Sequence, residues 1–148
     1  MDLDNISVHI DKLTIADWQK LFELIPEIES TKEFSTGGNF IEDKDNSGNF
    51  IISPEFNVEV VDKLIYVMEE LDLIIQFDWS HWDYGKEIFK KGKYYDVDTI
   101  TCLKLITSFI RADRFSYGAG LASRFEDRTI EKILKTIKKN IDKSKKKL

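Results

Sequence analysis

The chain is poor in the residues that usually announce a chemistry. Its single cysteine, Cys102, excludes an internal disulfide. Because that residue sits in the apolar run 100–110, a reducing compartment and a buried, inert thiol are expected. No apolar stretch approaches the roughly 18–20 residues of a membrane span. The first residues, Met1-Asp2-Leu3-Asp4-Asn5, are acidic and unlike a secretory signal, so a cytoplasmic, membrane-free protein is expected. Gly37-Gly38 and Gly118-Ala119-Gly120 lack the spacing and the lysine of a phosphate-binding loop. No serine stands in a glycine-flanked elbow, so nucleophilic catalysis has no support. Internal repeats are absent.

With 148 residues, 42% hydrophobic and 33% charged, the chain fits one domain large enough to bury a core without staples. The net charge of −5 hides an asymmetry: from Glu131 onward eight lysines face two acids, a balance of +6, so the first 130 residues carry −11. A body that acidic argues against general nucleic-acid binding. The expected organisation is a globular domain over 1–142 and a lysine-rich, disordered tail over 143–148. Such a tail is most simply a solvated end; contact with RNA, DNA or anionic lipid is the lesser alternative, and nucleic-acid binding through the tail is the weakest functional reading.

Periodicity predicts an α+β fold, mostly helical, with four to five helices around a central buried helix at about 98–112. A small two- or three-stranded hairpin is expected at about 33–52. Thr14-Ile15-Ala16-Asp17 reads as a capping-box start, followed by Ile15, Trp18, Leu21, Phe22 and Ile25 at helical spacing. Pro26 ends that helix or opens a further short turn. One hairpin arm is placed at Glu33-Phe34-Ser35 and the other at 49–52, and Leu73-Ile74-Ile75 is a third strand or a tight connector. Ser53-Pro54-Glu55 then reads as the start of a helix carrying Val60, Val61, Leu64 and Met68. After a basic, aromatic connector at 90–95, Asp96 or Asp98 caps the central helix. A short helix over 119–125 and a last one from about Asp127, with Ile130, Ile133, Leu134 and Ile137, complete the chain.

Two runs concentrate the chemistry. Phe77-Asp78-Trp79-Ser80-His81-Trp82-Asp83-Tyr84-Gly85 mixes aromatics, carboxylates and a histidine, and Arg111-Ala112-Asp113-Arg114-Phe115 follows about thirty residues later. Burying such a mixture is costly unless each polar group finds a partner. The structural reading is an ion pair of Arg111 or Arg114 with Asp78 or Asp83, locking the final helices to the Trp loop; if the helix ends near Ala112, Asp113 caps the next element instead. The functional reading is an anion pocket with arginine as the fork and Trp79 or Trp82 as a stacking face.

Phe-Asp-Trp-x-x-Trp-x-x-Gly at 77–85, then Arg-Ala-Asp-Arg-Phe, then Gly118, Leu121 and Ala122 and a final isoleucine-leucine helix resemble a bacterial, archaeal and phage family, domain of unknown function 6508. The resemblance covers roughly 12–140. It implies that Asp78, Trp79, Trp82, Gly85, Arg111, Asp113, Arg114 and Phe115 belong to a shared pattern, and it brings no activity or cofactor. The chain departs from the pattern before the last helix, where Asp127-Arg128 stands in place of an expected small residue.

His81 between Asp78 and Asp83 invites acid–base chemistry, since nearby carboxylates favour the charged imidazole. As a metal site the triplet is poor, having no second histidine nearby; His9 lies far off in an N-terminus expected to be mobile. Asp43, Asp45 and Ser47 match the first positions of a calcium loop, but its twelfth position is Pro54, so a polar turn explains them better. No cofactor is expected. The leading functional expectation is a small cytoplasmic binding or adaptor module that recognises a protein or small anionic ligand through Trp79, Trp82, Arg111 and Arg114. The rival is an enzyme in which His81, Asp78 or Asp83 moves a proton on an anionic substrate. Partners stay open, a protein or a second copy included.

Overall fold

The capping box expected at Thr14 closes in the computed structural model. Thr14 N–H donates to Asp17 Oδ2 at 2.9 Å, and Asp17 N–H donates back to Thr14 Oγ1 at 3.1 Å. The structure describes residues 1–34, 40–44, 50–54, 59–113 and 119–145, the two strands by their backbone alone. Helix α1 (Ile6–Lys12) precedes α2 (Ile15–Phe22) and α3 (Leu24–Ser30). Pro26 sits in the first turn of α3, where its missing N–H has no helical acceptor to lose. Strands β1 (Phe40–Lys44) and β2 (Phe50–Pro54) follow, then α4 (Glu59–Glu70). A 3-10 turn (Trp79–His81) leads into α5 (Asp83–Lys91), and α6 (Thr99–Asp113), α7 (Ala119–Glu126) and α8 (Thr129–Lys145) finish the chain.

The α+β class is overturned: the domain is helical. Strand structure among the described residues is confined to β1 and β2, paired antiparallel from Phe40↔Pro54 to Lys44↔Phe50 in a two-stranded ladder that joins no larger sheet. Glu33 and Phe34 of the expected arm are not part of it, and Ser35 lies outside the described residues. Phe34 is fully buried against Phe125 of α7. Ser53 and Pro54 lie in β2 rather than opening a helix, and α4 begins at Glu59. Leu73, Ile74 and Ile75 form a connector, not a strand.

Helix α6 is the centre, as its apolar residues on most sides require. Cys102, Leu103, Leu105, Ile106 and Thr107 are buried, and α5, α7, α8 and the 3-10 turn all pack on it. Asp98 caps it, accepting from Thr101 N–H at 3.1 Å. Burial pushes the Cys102 thiol up to about 12, which keeps it protonated and unreactive. Helix α8 lays Ile130, Ile133, Leu134 and Ile137 into the same core.

The N-terminal segment is helical and tied down, contrary to the mobility expected around His9. His9 Nε2 donates to the Leu71 carbonyl at 2.7 Å, and Asp2 bridges to Gln76. Leu71 lies just past α4, where Leu73 N–H bonds Met68 O at 2.8 Å and Asp72 N–H bonds Glu69 O at 3.1 Å. Asp72 at φ 55 supplies the left-handed residue of this Schellman ending.

Arg128 explains the departure before α8. It adopts φ 68, a region where a residue with a Cβ costs roughly 1–2 kcal/mol. Its guanidinium then reaches the end of α3, donating to Ile28 O at 2.8 Å and Thr31 O at 3.2 Å, with Glu131 Oε1 at 3.4 Å. A small residue would relieve the backbone but leave those carbonyls unmet. Arg128→Ala should therefore destabilise by about 2 kcal/mol and Arg128→Gly by only about 1, in urea melts. Equal losses would mean that the left-handed turn carries no strain.

Candidate functional site

Past Leu73 and Ile75, both buried, Ile75 N–H donates to Thr107 Oγ1 at 3.2 Å and so fixes the chain on α6. Phe77 and Trp82 then meet edge to face, centroids 5.3 Å apart at 88°. The Lys104 ammonium, from α6, lies 4.7 Å from the Phe77 ring and 4.4 Å from that of Trp82. Burial lowers the Lys104 pKa, with Asp98 opposing. Gly85 allows this stack: a Cβ there would stand 2.2 Å from Trp82 Cε3.

The polar residues of the loop face outward. His81 Nδ1 donates to Asp78 Oδ2 at 3.0 Å, Ser80 Oγ donates to Asp78 Oδ1 at 3.0 Å, and the His81 and Asp78 side chains are 83% and 70% exposed. The hydrogen bonds from His81, then Ser80, hold the Asp78 carboxyl below its ordinary value. Lys86 Nζ donates to Ser80 O at 3.0 Å. Asp83 is exposed in the first turn of α5, where a carboxylate complements the helix N-terminus. Trp79 is half-buried at the start of the 3-10 turn.

Arg111 lies elsewhere. It is seven residues beyond Lys104, about 10 Å further along the axis of α6, and its side chain has no hydrogen-bond or ion-pair partner among the described residues. Asp113 accepts from Leu121 N–H at 2.7 Å and so caps the first turn of α7. Arg114 and Phe115 lie outside the described residues, as do Asp45 and Ser47 of the calcium-like loop; Asp43 pairs by its backbone with Ile51. Asp78 is thus held by His81 and Ser80, and Asp113 by α7. Among the described residues no group of three His, Cys, Asp or Glu side chains could hold a metal ion, and no helix is long and apolar enough to cross a membrane.

Of three basic residues that the structure uses, the sequence pointed only to Arg128, and to it only as a departure before the last helix. Lys104 is the only charged residue in the run 100–110, and that isolation was its one signal. Arg124 lies 4.4 Å over the Phe89 ring and pairs with Asp127 at 3.4 Å. Arg128 grips α3.

A second constellation joins the connector that follows α5 at Gly92 to α8; Lys90 and Lys91 of the expected connector end α5 itself. Gly92, at φ 68, ends α5 in the left-handed conformation, and the chain turns so that Tyr94 is buried and Tyr95 is 71% exposed. Thr136 Oγ1 donates to Tyr94 O at 3.0 Å, Asn140 Nδ2 to Val97 O at 3.0 Å, and Lys139 Nζ to Tyr95 O. Between connector and helix runs a groove of about 570 Å³, with Lys93 on one wall and Lys132, Lys135 and Lys139 on the other. The Lys139 ammonium lies 3.3 Å from the Tyr95 ring centroid. Lys135 is paired with Glu29 and Glu131 at 3.2 and 3.3 Å, whereas Lys93 and Lys132 have no acid partner among the described residues. Asp96 is the one acid on the lining.

No protein of curated function and no solved structure matches the chain. A family model, described as a family of unknown function (DUF6508), matches residues 13–143 and so spans the Trp loop, α6 and most of the lysine-bearing helix. The chain belongs to this family of unknown function, DUF6508.

Proposed function

We propose that the protein is a non-enzymatic binding module that holds an anionic ligand in the groove between the 92–96 connector and α8. The observation that carries this reading is the groove itself. About 570 Å³ falls in the range of small-molecule sites, and four lysines with two tyrosines line it against one aspartate. The expected face at Trp79, Trp82, Arg111 and Arg114 has less behind it, because the Trp82 ring is engaged by Phe77 and Lys104. The enzyme reading has less still: the Asp78–His81 pair is solvent-exposed, and no hydrogen bond among the described residues joins Asp83 to it.

The test is thermal shift against pyrophosphate, nucleotides and phosphorylated sugars. A ligand at a hundred times its Kd adds about 2.7 kcal/mol, which for this length is a rise of roughly 5–10 °C. The double variant Lys132→Glu/Lys139→Glu should lose that rise while keeping its helical circular dichroism. If instead Trp79→Ala/Arg111→Ala abolishes the rise and the lysine variant keeps it, the Trp face is the site.

A further inference from the structure

We infer that the anion taken by this groove is a single-stranded nucleic acid, an inference that rests on the groove being the anion site. The groove is not isolated. A depression of about 670 Å³ continues it along α8 through Tyr95, Lys135 and Lys139 to Lys143. Another of about 250 Å³ continues it the other way, through Lys93 and Asp96 to Tyr84 and Lys91. Shared lining residues make the three a continuous track, open at the surface, and that shape suits a linear ligand better than a compact one.

Charge and aromatic faces follow the track. Lys132, Lys135, Lys139 and Lys143 fall three, four and four residues apart and so share one side of α8. They span about 16 Å of helix, roughly four or five phosphates of a stacked strand. Most acids along the track are engaged: Glu87 pairs with Lys91 at 3.1 Å, Asp142 with Lys138 at 3.6 Å, and Asp98 caps α6. The acidic balance of the first 130 residues repels a polyanion from the rest of the molecule and confines it to this side. Tyr84 and Tyr95, 60% and 71% exposed, stand on the track, Tyr84 edge to face with Trp82 and Tyr95 under the Lys139 ammonium. The ring surface that these contacts leave exposed is the platform on which an unpaired base would stack. A duplex offers no base faces to such platforms.

Fluorescence anisotropy on the full chain tests this, using fluorescein-labelled oligo-dT and oligo-U, the matching duplex, and ATP and a poly-glutamate peptide as competitors. Either single strand should bind in the micromolar range at low salt, and the duplex at least about tenfold more weakly. Three or four phosphate contacts give a slope of log K against log salt of roughly −2 to −3. Lys132→Glu/Lys139→Glu should weaken binding by more than about tenfold, and Tyr95→Ala by roughly tenfold, with Tyr95→Phe binding as the wild type does. Circular dichroism checks that each variant is folded. No anisotropy change with either oligonucleotide, or a duplex bound as tightly, overturns the inference. If ATP or poly-glutamate binds with the same lysine dependence while the oligonucleotides do not, the anion groove stands and the nucleic-acid assignment falls. Oligonucleotide binding that ignores the lysine and Tyr95 variants overturns both.

Discussion

Gly85→Ala should destabilise the protein by about 2–3 kcal/mol, although a helix ordinarily gains from the exchange. Alanine is favoured over glycine by up to roughly 1 kcal/mol in a helix, and Gly85 lies in the first turn of α5. The added Cβ, however, would stand 2.2 Å from Trp82 Cε3 and 2.5 Å from Cζ3, well inside any real contact. These atoms belong to an indole wedged between the α5 backbone, Phe77 and the Lys104 ammonium. Relief requires the ring to leave its edge-to-face contact and its cation–π contact together, an overpacking penalty of about 1–3 kcal/mol beyond the lost propensity gain. A double-mutant cycle decides the cause. In a Trp82→Ala background the same Gly85→Ala change should become neutral or stabilising, because the clash has gone and only helix propensity remains. A loss that persists without the indole would place the strain elsewhere than in the contact of Trp82 with Gly85.

The helices with a sustained 3.6-residue stripe were legible: Trp18, Leu21, Phe22 and Ile25 on α2 and α3, and Ile130, Ile133, Leu134 and Ile137 on α8. The short α1 and α5 were not, so the described residues form eight helices where four or five were expected. The Trp loop was legible as a joint but not in its partner. Sequence alone could not say that Ile75 bonds Thr107, or that the rings of Phe77 and Trp82 then close on Lys104. Lysine in an apolar helix reads as a stray charge until two aromatic rings close on it. The lysine groove was visible only as halves, a basic aromatic connector and a lysine-rich end. Nothing local reveals that Thr136 and Asn140 hold the connector's carbonyls against α8. Turn residues behaved likewise: Arg128 takes a left-handed conformation that its type disfavours, because its guanidinium reaches carbonyls a hundred residues away in sequence.

Phe34 is where the sequence pattern and the fold part most clearly, and its truncation should have the largest effect of any single change considered. Phe34→Ala is expected to cost about 3–5 kcal/mol in urea denaturation, the range for a buried aromatic whose removal leaves a cavity. An arm of an exposed two-stranded hairpin, as the local pattern suggested, would lose about 1 kcal/mol or less. The larger figure follows from tertiary placement. Phe34 has no exposed surface, its ring centroid lies 5.4 Å from that of Phe125 at 36°, and the Arg128 guanidinium stands 5.4 Å from it. Arg128 also binds Ile28 and Thr31 carbonyls, so the segment that delivers Phe34 to the core and the turn that opens α8 are one assembly. Phe34→Leu, which keeps most of the volume, should lose only about 1–1.5 kcal/mol. Combining Phe34→Ala with Arg128→Ala should cost less than the two losses added, because each change removes a partner of the other. Full additivity would mean that the ring and the guanidinium act independently, and the α3–α8 clasp would then rest on the carbonyl hydrogen bonds alone.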